Sequence, residues 1–236
     1  MERPIHSPIN TPVQDLDTPA LVVDKDNITA NQELFSQAIM TMGKELIPDV
    51  SVHGSVGLAS IQTGGTRDNQ IYCGTLQTAE IFREHQFSNL AITLPAPNKE
   101  SLTRVINLAS ISSLSIRISN STILNKMIIT SEEFYSEINV NLIVSNSHEH
   151  RGFALDGELK TAIQAIGSSN KLKLEGFTIE AKELGSGMTA KLLNSLNSFM
   201  ESQKVSLPSA CCIYLHGDPL DVEAYSGCLI STPLTQ

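Results

Sequence analysis

Long apolar runs, clusters of basic residues, paired cysteines and a dinucleotide fingerprint are all missing from this sequence. Without a run of about 18 apolar residues, no membrane-spanning helix is expected. The segment Met1–Pro12 carries three prolines and no apolar stretch, so it reads as an exposed arm and not as a signal peptide. Lys and Arg total 16 against 25 Asp and Glu, for a net charge of −9, and the basic residues are scattered. A groove that displaces counter-ions from phosphates needs clustered cations, so neither nucleic acid nor an anionic membrane is an expected partner. Cys73, Cys211, Cys212 and Cys228 form no C-x-x-C pair. With no secretory signal they read as reduced thiols of a cytoplasmic protein, serving as small core residues. No G-x-G-x-x-G follows an apolar run; Gly54-Ser55-Val56-Gly57 and Gly185-Ser186-Gly187 lack the spacing and read as loop or cap glycines.

What is present is an alternation. The 236 residues are 41 % hydrophobic and 17 % charged, an ordinary globular composition with material for one large core. Short apolar runs lie at Ala20–Val23, Leu46–Val52, Ile71–Gly74, Leu90–Leu94, Leu114–Ile118, Val140–Val144, Leu174–Ile179, Ile213–Leu215 and Cys228–Ile230. Between them lie amphipathic stretches. Leu102, Val105, Ile106 and Ala109 make an i, i+3, i+4, i+7 stripe, and Leu159, Ala162, Ile163 and Ile166 make another. Strands alternating with helices imply a parallel sheet, since a crossover helix returns the chain to the same end. Counted from Leu46, about eight strands are predicted, the number that closes a (β/α)8 barrel of the TIM type, with parallel strands and outer helices. Residues 1–14 form the expected flexible arm and 15–236 the barrel domain. The last strand candidate ends near Gln236, so no second domain is expected.

The string Asp15-Leu16-Asp17-Thr18-Pro19-Ala20-Leu21-Val22-Val23-Asp24 resembles the opening of the D-threonine aldolase and D-serine dehydratase group. These stand with alanine racemase among the fold-type III pyridoxal-phosphate enzymes, whose N-terminal domain is a barrel. Thr75-Leu76-Gln77-Thr78-Ala79-Glu80 is similar to the element after that family's second strand. Leu90–Pro95 is similar to its third strand, His150-Arg151-Gly152 to the turn after its fifth, and Leu172–Ile179 to its sixth. The resemblance covers about residues 15 to 231 and rests on the order of these motifs.

The departures fall where the family keeps its chemistry. Its first strand reads approximately R-P-H-x-K-T-H-K; here Ile47-Pro48-Asp49-Val50-Ser51-Val52-His53-Gly54 stands in that place. Ser51 thus occupies the position of the cofactor lysine. Pyridoxal needs a primary amine to form its internal imine, and a hydroxyl cannot supply one; Lys44 lies outside the strand. In the phosphate loop stands Leu215-His216-Gly217-Asp218-Pro219, where Asp218 sets a negative charge against a dianion. The element after the sixth strand is Ile179-Glu180-Ala181-Lys182, and the C-terminal domain that carries the metal ligands of the aldolase and dehydratase branch has no counterpart here.

The expected protein is therefore a catalytically inactive homologue, a pseudoenzyme, with no assigned catalytic residue, no metal and no cofactor. His53 is the remaining catalytic candidate, and Arg151, His216 and Gly217 are the candidates for cofactor contact. The competing reading is a pyridoxal-phosphate-dependent lyase or racemase acting on a D-amino acid. A Ser51–His53 nucleophile oriented by Asp49 and a metal pair at His148 and His150 are weaker readings of the same residues. Asp24 and Glu80 read as a helix cap and a helix brace. Partners are expected among proteins or small molecules, with a homodimer possible.

Overall fold

The computed structural model describes residues 10–41, 45–94, 97–130, 137–145, 151–180, 186–203, 212–215 and 232–233. After a short 3-10 turn at Val13–Asp15 come α1 (Lys25–Thr41), α2 (Val56–Gln62), β1 (Ile71–Gly74), α3 (Leu76–Glu84), β2 (Asn89–Thr93) and α4 (Lys99–Ile111). Then follow β3 (Ser113–Ile118), α5 (Ser121–Thr130), β4 (Ile138–Ser145), β5 (Phe153–Ala154) and α6 (Gly157–Gly167). The last are β6 (Leu172–Ile179), α7 (Ser186–Gln203), β7 (Cys212–Leu215) and β8 (Thr232–Pro233). The sheet runs β1-β2-β3-β4-β6-β7-β8, with the short β5 beside β4. Every pairing from β1 to β7 is parallel, as the alternation of strands and helices required.

Local chemistry sets the helix starts. The Asp24 carboxylate accepts the backbone N–H groups of Asp26 and Asn27 at 2.9 and 3.1 Å, the expected cap of α1. Thr75 caps α3, and Asp156 caps α6. Asn98 and Ser101 form a reciprocal capping box on α4. Each cap satisfies amide hydrogens that a first helical turn leaves unpaired. Glu80 on α3 takes a two-pronged ion pair from Arg104 on α4, so the predicted brace is present.

Parallel strands wrapped by helices are buried on both faces, and alternate residues go to different cores. Leu114, Ile116 and Ile118 of β3 join Val140, Leu142 and Val144 of β4, and Phe177 and Ile179 of β6, in the apolar core that the helices complete with Leu102, Val105, Leu159 and Leu196. The intervening residues, among them Tyr72, Thr93, Ser115, Arg117, Asn141 and Thr178, are buried on the opposite face, on the concave side of the sheet. Gly176 is required at the crowded point of β6, where an added Cβ would lie 2.0 Å from the Cys212 carbonyl oxygen.

Two expectations are corrected. The described sheet is a half-barrel, not a closed eight-stranded ring. β8 pairs antiparallel with β7, so it is not the parallel strand that would close the circle, and the expected strand Cys228–Ile230 lies outside the described residues. The predicted strand Leu46–Val52 shrinks to one parallel bridge, Asp49 to Tyr72, held by Tyr72 N–H to the Pro48 carbonyl (2.8 Å) and Val50 N–H to the Tyr72 carbonyl (2.9 Å). The reason is local. Asp49 Oδ1 accepts both the backbone N–H (2.9 Å) and the hydroxyl (2.5 Å) of Ser51, an Asx turn that competes with continued pairing. The chain closes a turn with Gly54 N–H on the Val50 carbonyl at 2.8 Å, and Gly54 takes φ +59°. The run Ala20–Val23 joins no strand and is exposed, Leu21 at 95 %.

Candidate functional site

Ligands of barrels and half-barrels gather at the C-terminal ends of the strands, where loops and side chains converge. The first-strand residues lie at this end. Ser51 is exposed, and its hydroxyl is committed to Asp49. His53 does not join it. Its Nδ1 accepts the Ser55 backbone N–H at 2.9 Å and its Nε2 meets Gln62 Oε1 at 3.0 Å, so the ring is the Nε2–H tautomer with both nitrogens used locally. The Ser51–His53 nucleophile is therefore not assembled. Gly74, with φ +72°, lets β1 pass so near that a Cβ there would lie 2.7 Å from the Ser51 Cβ.

No described lysine is buried. Lys126 donates to the Pro97 carbonyl at 3.1 Å, Lys160 to Gln203 at 3.2 Å, and Lys173 pairs with Glu137 at the surface. The amine that imine formation needs is thus absent from the described interior, and the Ser51 hydroxyl is bonded to a carboxylate. The residues present do not fit covalent attachment of pyridoxal phosphate. His216, Gly217, Lys44 and the His148–His150 pair lie outside the described residues. Among the described residues, no three His, Cys, Asp or Glu side chains cluster as metal ligands do.

Arg151 lines a cavity of about 600 Å³ with Pro97, Ser119, Asn120, Thr122 and Lys126. Two cations and several hydroxyl or amide groups there give it the character of an anion site. The glycine after Arg151 is obligatory: Gly152 takes φ +127°, and a Cβ would fall 2.8 Å from the Ile143 carbonyl.

The polar interior of the sheet carries the strongest electrostatics, and sequence reading missed it. Arg117, 5 % exposed, lays its guanidinium 3.9 Å from the ring centroid of Tyr72, whose hydroxyl is tied to Thr93 at 2.7 Å. Burial works against the Arg117 charge, while Tyr72, Glu180, Asp49 and Tyr214 support it. A guanidinium keeps its proton in such surroundings. Below it, Glu175 Oε2 accepts from Ser115 (2.5 Å) and from Asn141 Nδ2 (2.5 Å). Burial raises the Glu175 pKa above the usual carboxylate range, and Ser115, Asn141, Arg117 and Tyr214 pull the other way. Cys73, buried beside Asp49, is pushed up to about 12, first by burial and then by that carboxylate, so it is an inert thiol. The signal that could have revealed this interior was the period of two itself. Ser115 and Arg117 alternate with Leu114, Ile116 and Ile118, and Asn141 stands between Val140 and Leu142; a two-sided sheet buries those polar residues as well.

Similarity to known proteins agrees with this architecture. No protein-family model matches the sequence, and no curated protein sequence matches it. Solved structures do. D-threonine aldolase from Filomicrobium marinum superposes with a TM-score of 0.76 at 14 % identity, over 92 % of this chain and 61 % of its own. An alanine racemase-like protein from Idiomarina loihiensis gives 0.75 at 16 %, over 92 % and 60 %. D-threo-3-hydroxyaspartate dehydratase from Delftia sp. gives 0.68 at 18 %, over 91 % and 64 %. At these identities the likeness is one of fold. It defines the class of fold: an α/β half-barrel like the barrel domains of the D-threonine aldolase and alanine racemase-like structures. This chain spans about three fifths of the length of each of these proteins.

Proposed function

We propose that this protein is a catalytically inactive homologue of the pyridoxal-phosphate-dependent D-threonine aldolase and D-serine dehydratase-like enzymes, and that it binds a small molecule or a protein without covalent chemistry. The observation that carries the reading is Ser51, hydrogen-bonded to Asp49 where the family places its lysine, in a half-barrel with no buried lysine among the described residues. An acid beside the serine argues further against a cofactor phosphate or an activated amine at that point. The protein works in the cytoplasm in this reading, needs no cofactor or metal, and has neither nucleic acid nor membrane as partner. Residues 1–14 serve as an arm to a barrel domain at 15–236, and the protein forms a homodimer if it self-associates.

The test is to mix purified protein with pyridoxal phosphate, record the visible spectrum, and reduce with borohydride. The spectrum should be that of the free cofactor, and mass spectrometry should find no lysine adduct. A stoichiometric adduct at a single lysine, with turnover of a D-amino acid, would establish the competing lyase or racemase instead.

A further inference from the structure

Among the described residues, the concave face of the sheet holds three buried polar atoms without a hydrogen-bond partner: Arg117 Nη1, Asn141 Oδ1 and Thr178 Oγ1. They stand on three successive strands. Arg117 of β3 pairs in register with Asn141 of β4, and Thr178 of β6 pairs with Ile143, two residues beyond Asn141. Each is costly to leave alone. A buried hydroxyl or amide without a partner costs about 1–3 kcal/mol, and an unpaired charged donor costs more. Barrel interiors are ordinarily filled with Val, Ile and Leu, which carry no such cost. A set of orphaned groups that converge from neighbouring strands is what a binding site looks like before its ligand arrives.

We infer that this interior is a binding site for a small monoanionic carboxylate that carries its own hydrogen-bond donor. The chemistry of each group selects the ligand. Arg117 offers a planar cation whose face is fixed on Tyr72, with Nη1 free to donate to a carboxylate oxygen. Asn141 gives its Nδ2 to Ser115 and Glu175, which leaves Oδ1 in want of a donor from the ligand. Thr178 supplies a hydroxyl that serves as donor or acceptor. Asp49, Glu175 and Glu180 are the acidic groups around Arg117, so a dianionic phosphate is repelled about twice as strongly as a single carboxylate, which one guanidinium can match in charge. The route in is from the C-terminal ends of the strands: Ser119, two residues beyond Arg117, is already at the wall of the cavity shared with Arg151.

This inference deepens the non-covalent reading and rests on it. The test uses the whole chain, thermal melting and calorimetric titration, with glycolate as the probe and acetate, acetamide and inorganic phosphate beside it. Glycolate should raise the melting temperature saturably, acetate less so, and acetamide and phosphate not at all. Thr178→Val removes one orphaned hydroxyl at constant shape; it should weaken glycolate severalfold while the free protein melts no lower. Arg117→Met should abolish the response. If the wild type shows no saturable response to glycolate, or if Thr178→Val binds it unchanged, the site is not there. A borohydride-fixed cofactor adduct, measured separately, would sink the non-covalent reading; a silent glycolate titration without such an adduct would sink this inference alone.

Discussion

The Ser51 hydroxyl is not a free group at the end of a strand. Ser51 and Asp49 form a closed local unit, backbone and hydroxyl on one carboxylate oxygen. That unit stops the first strand after a single bridge. Deeper in, Glu175 is the titratable group that pH should expose. Its folded-state pKa is raised by burial, so the native state holds the proton more tightly than the unfolded chain. Its stabilising effect is therefore complete below the unfolded value of about 4.3 and declines as pH rises from there through the folded pKa, after which stability levels off. Glu175→Gln should remove that decline, so the gap between variant and wild type should widen with pH across this window in urea midpoints. Parallel curves for the two proteins would show that the carboxyl ionises as freely in the fold as outside it.

At the scale of elements, short polar signals at the ends of strands decide where helices start and where strands stop. The α4 capping box is the clearest case, since Asn98 Oδ1 takes the Ser101 N–H at 2.8 Å and Ser101 Oγ takes the Asn98 N–H at 2.9 Å. Asn98→Ala should cost about 1 kcal/mol in equilibrium unfolding, and Asn98→Asp should restore most of it. A loss indistinguishable from zero would mean that the packing of Leu102, Val105 and Ile106 alone fixes this helix. The same kind of signal misled at the first strand. The apolar and β-branched residues of Leu46–Val52 read as seven residues of strand, but Pro48 has no N–H to donate and Asp49 offers an Asx turn, so pairing ends after a single bridge. Leu34 and Met40 of α1 are exposed, and Ile39 is the helix's only buried residue among those described.

For the molecule as a whole, stability should follow the sheet. β3, β4 and β6 each have a neighbour on both sides and helices against their outer face, whereas α1 buries little. Amides of these three strands should show the slowest hydrogen exchange and those of α1 the fastest among the helices, because α1 can open without disturbing the common core. Exchange of α1 as slow as that of β4 would show that this helix is held by contacts beyond its single buried side chain.

The sequence by itself determined the parallel α/β order, the cap at Asp24, the Glu80 brace and the absence of an amine at Ser51. All of these are local: a period, a cap residue, or a side chain that lacks a functional group. Tertiary structure alone decided that the described sheet is a half-barrel, that His53 turns to Gln62 instead of Ser51, and that Arg117, Asn141 and Thr178 are buried on one face of neighbouring strands. A period of two says that a strand has two faces but not that both are sealed from water, and residues 24 or more positions apart become neighbours only when the strands that carry them lie side by side.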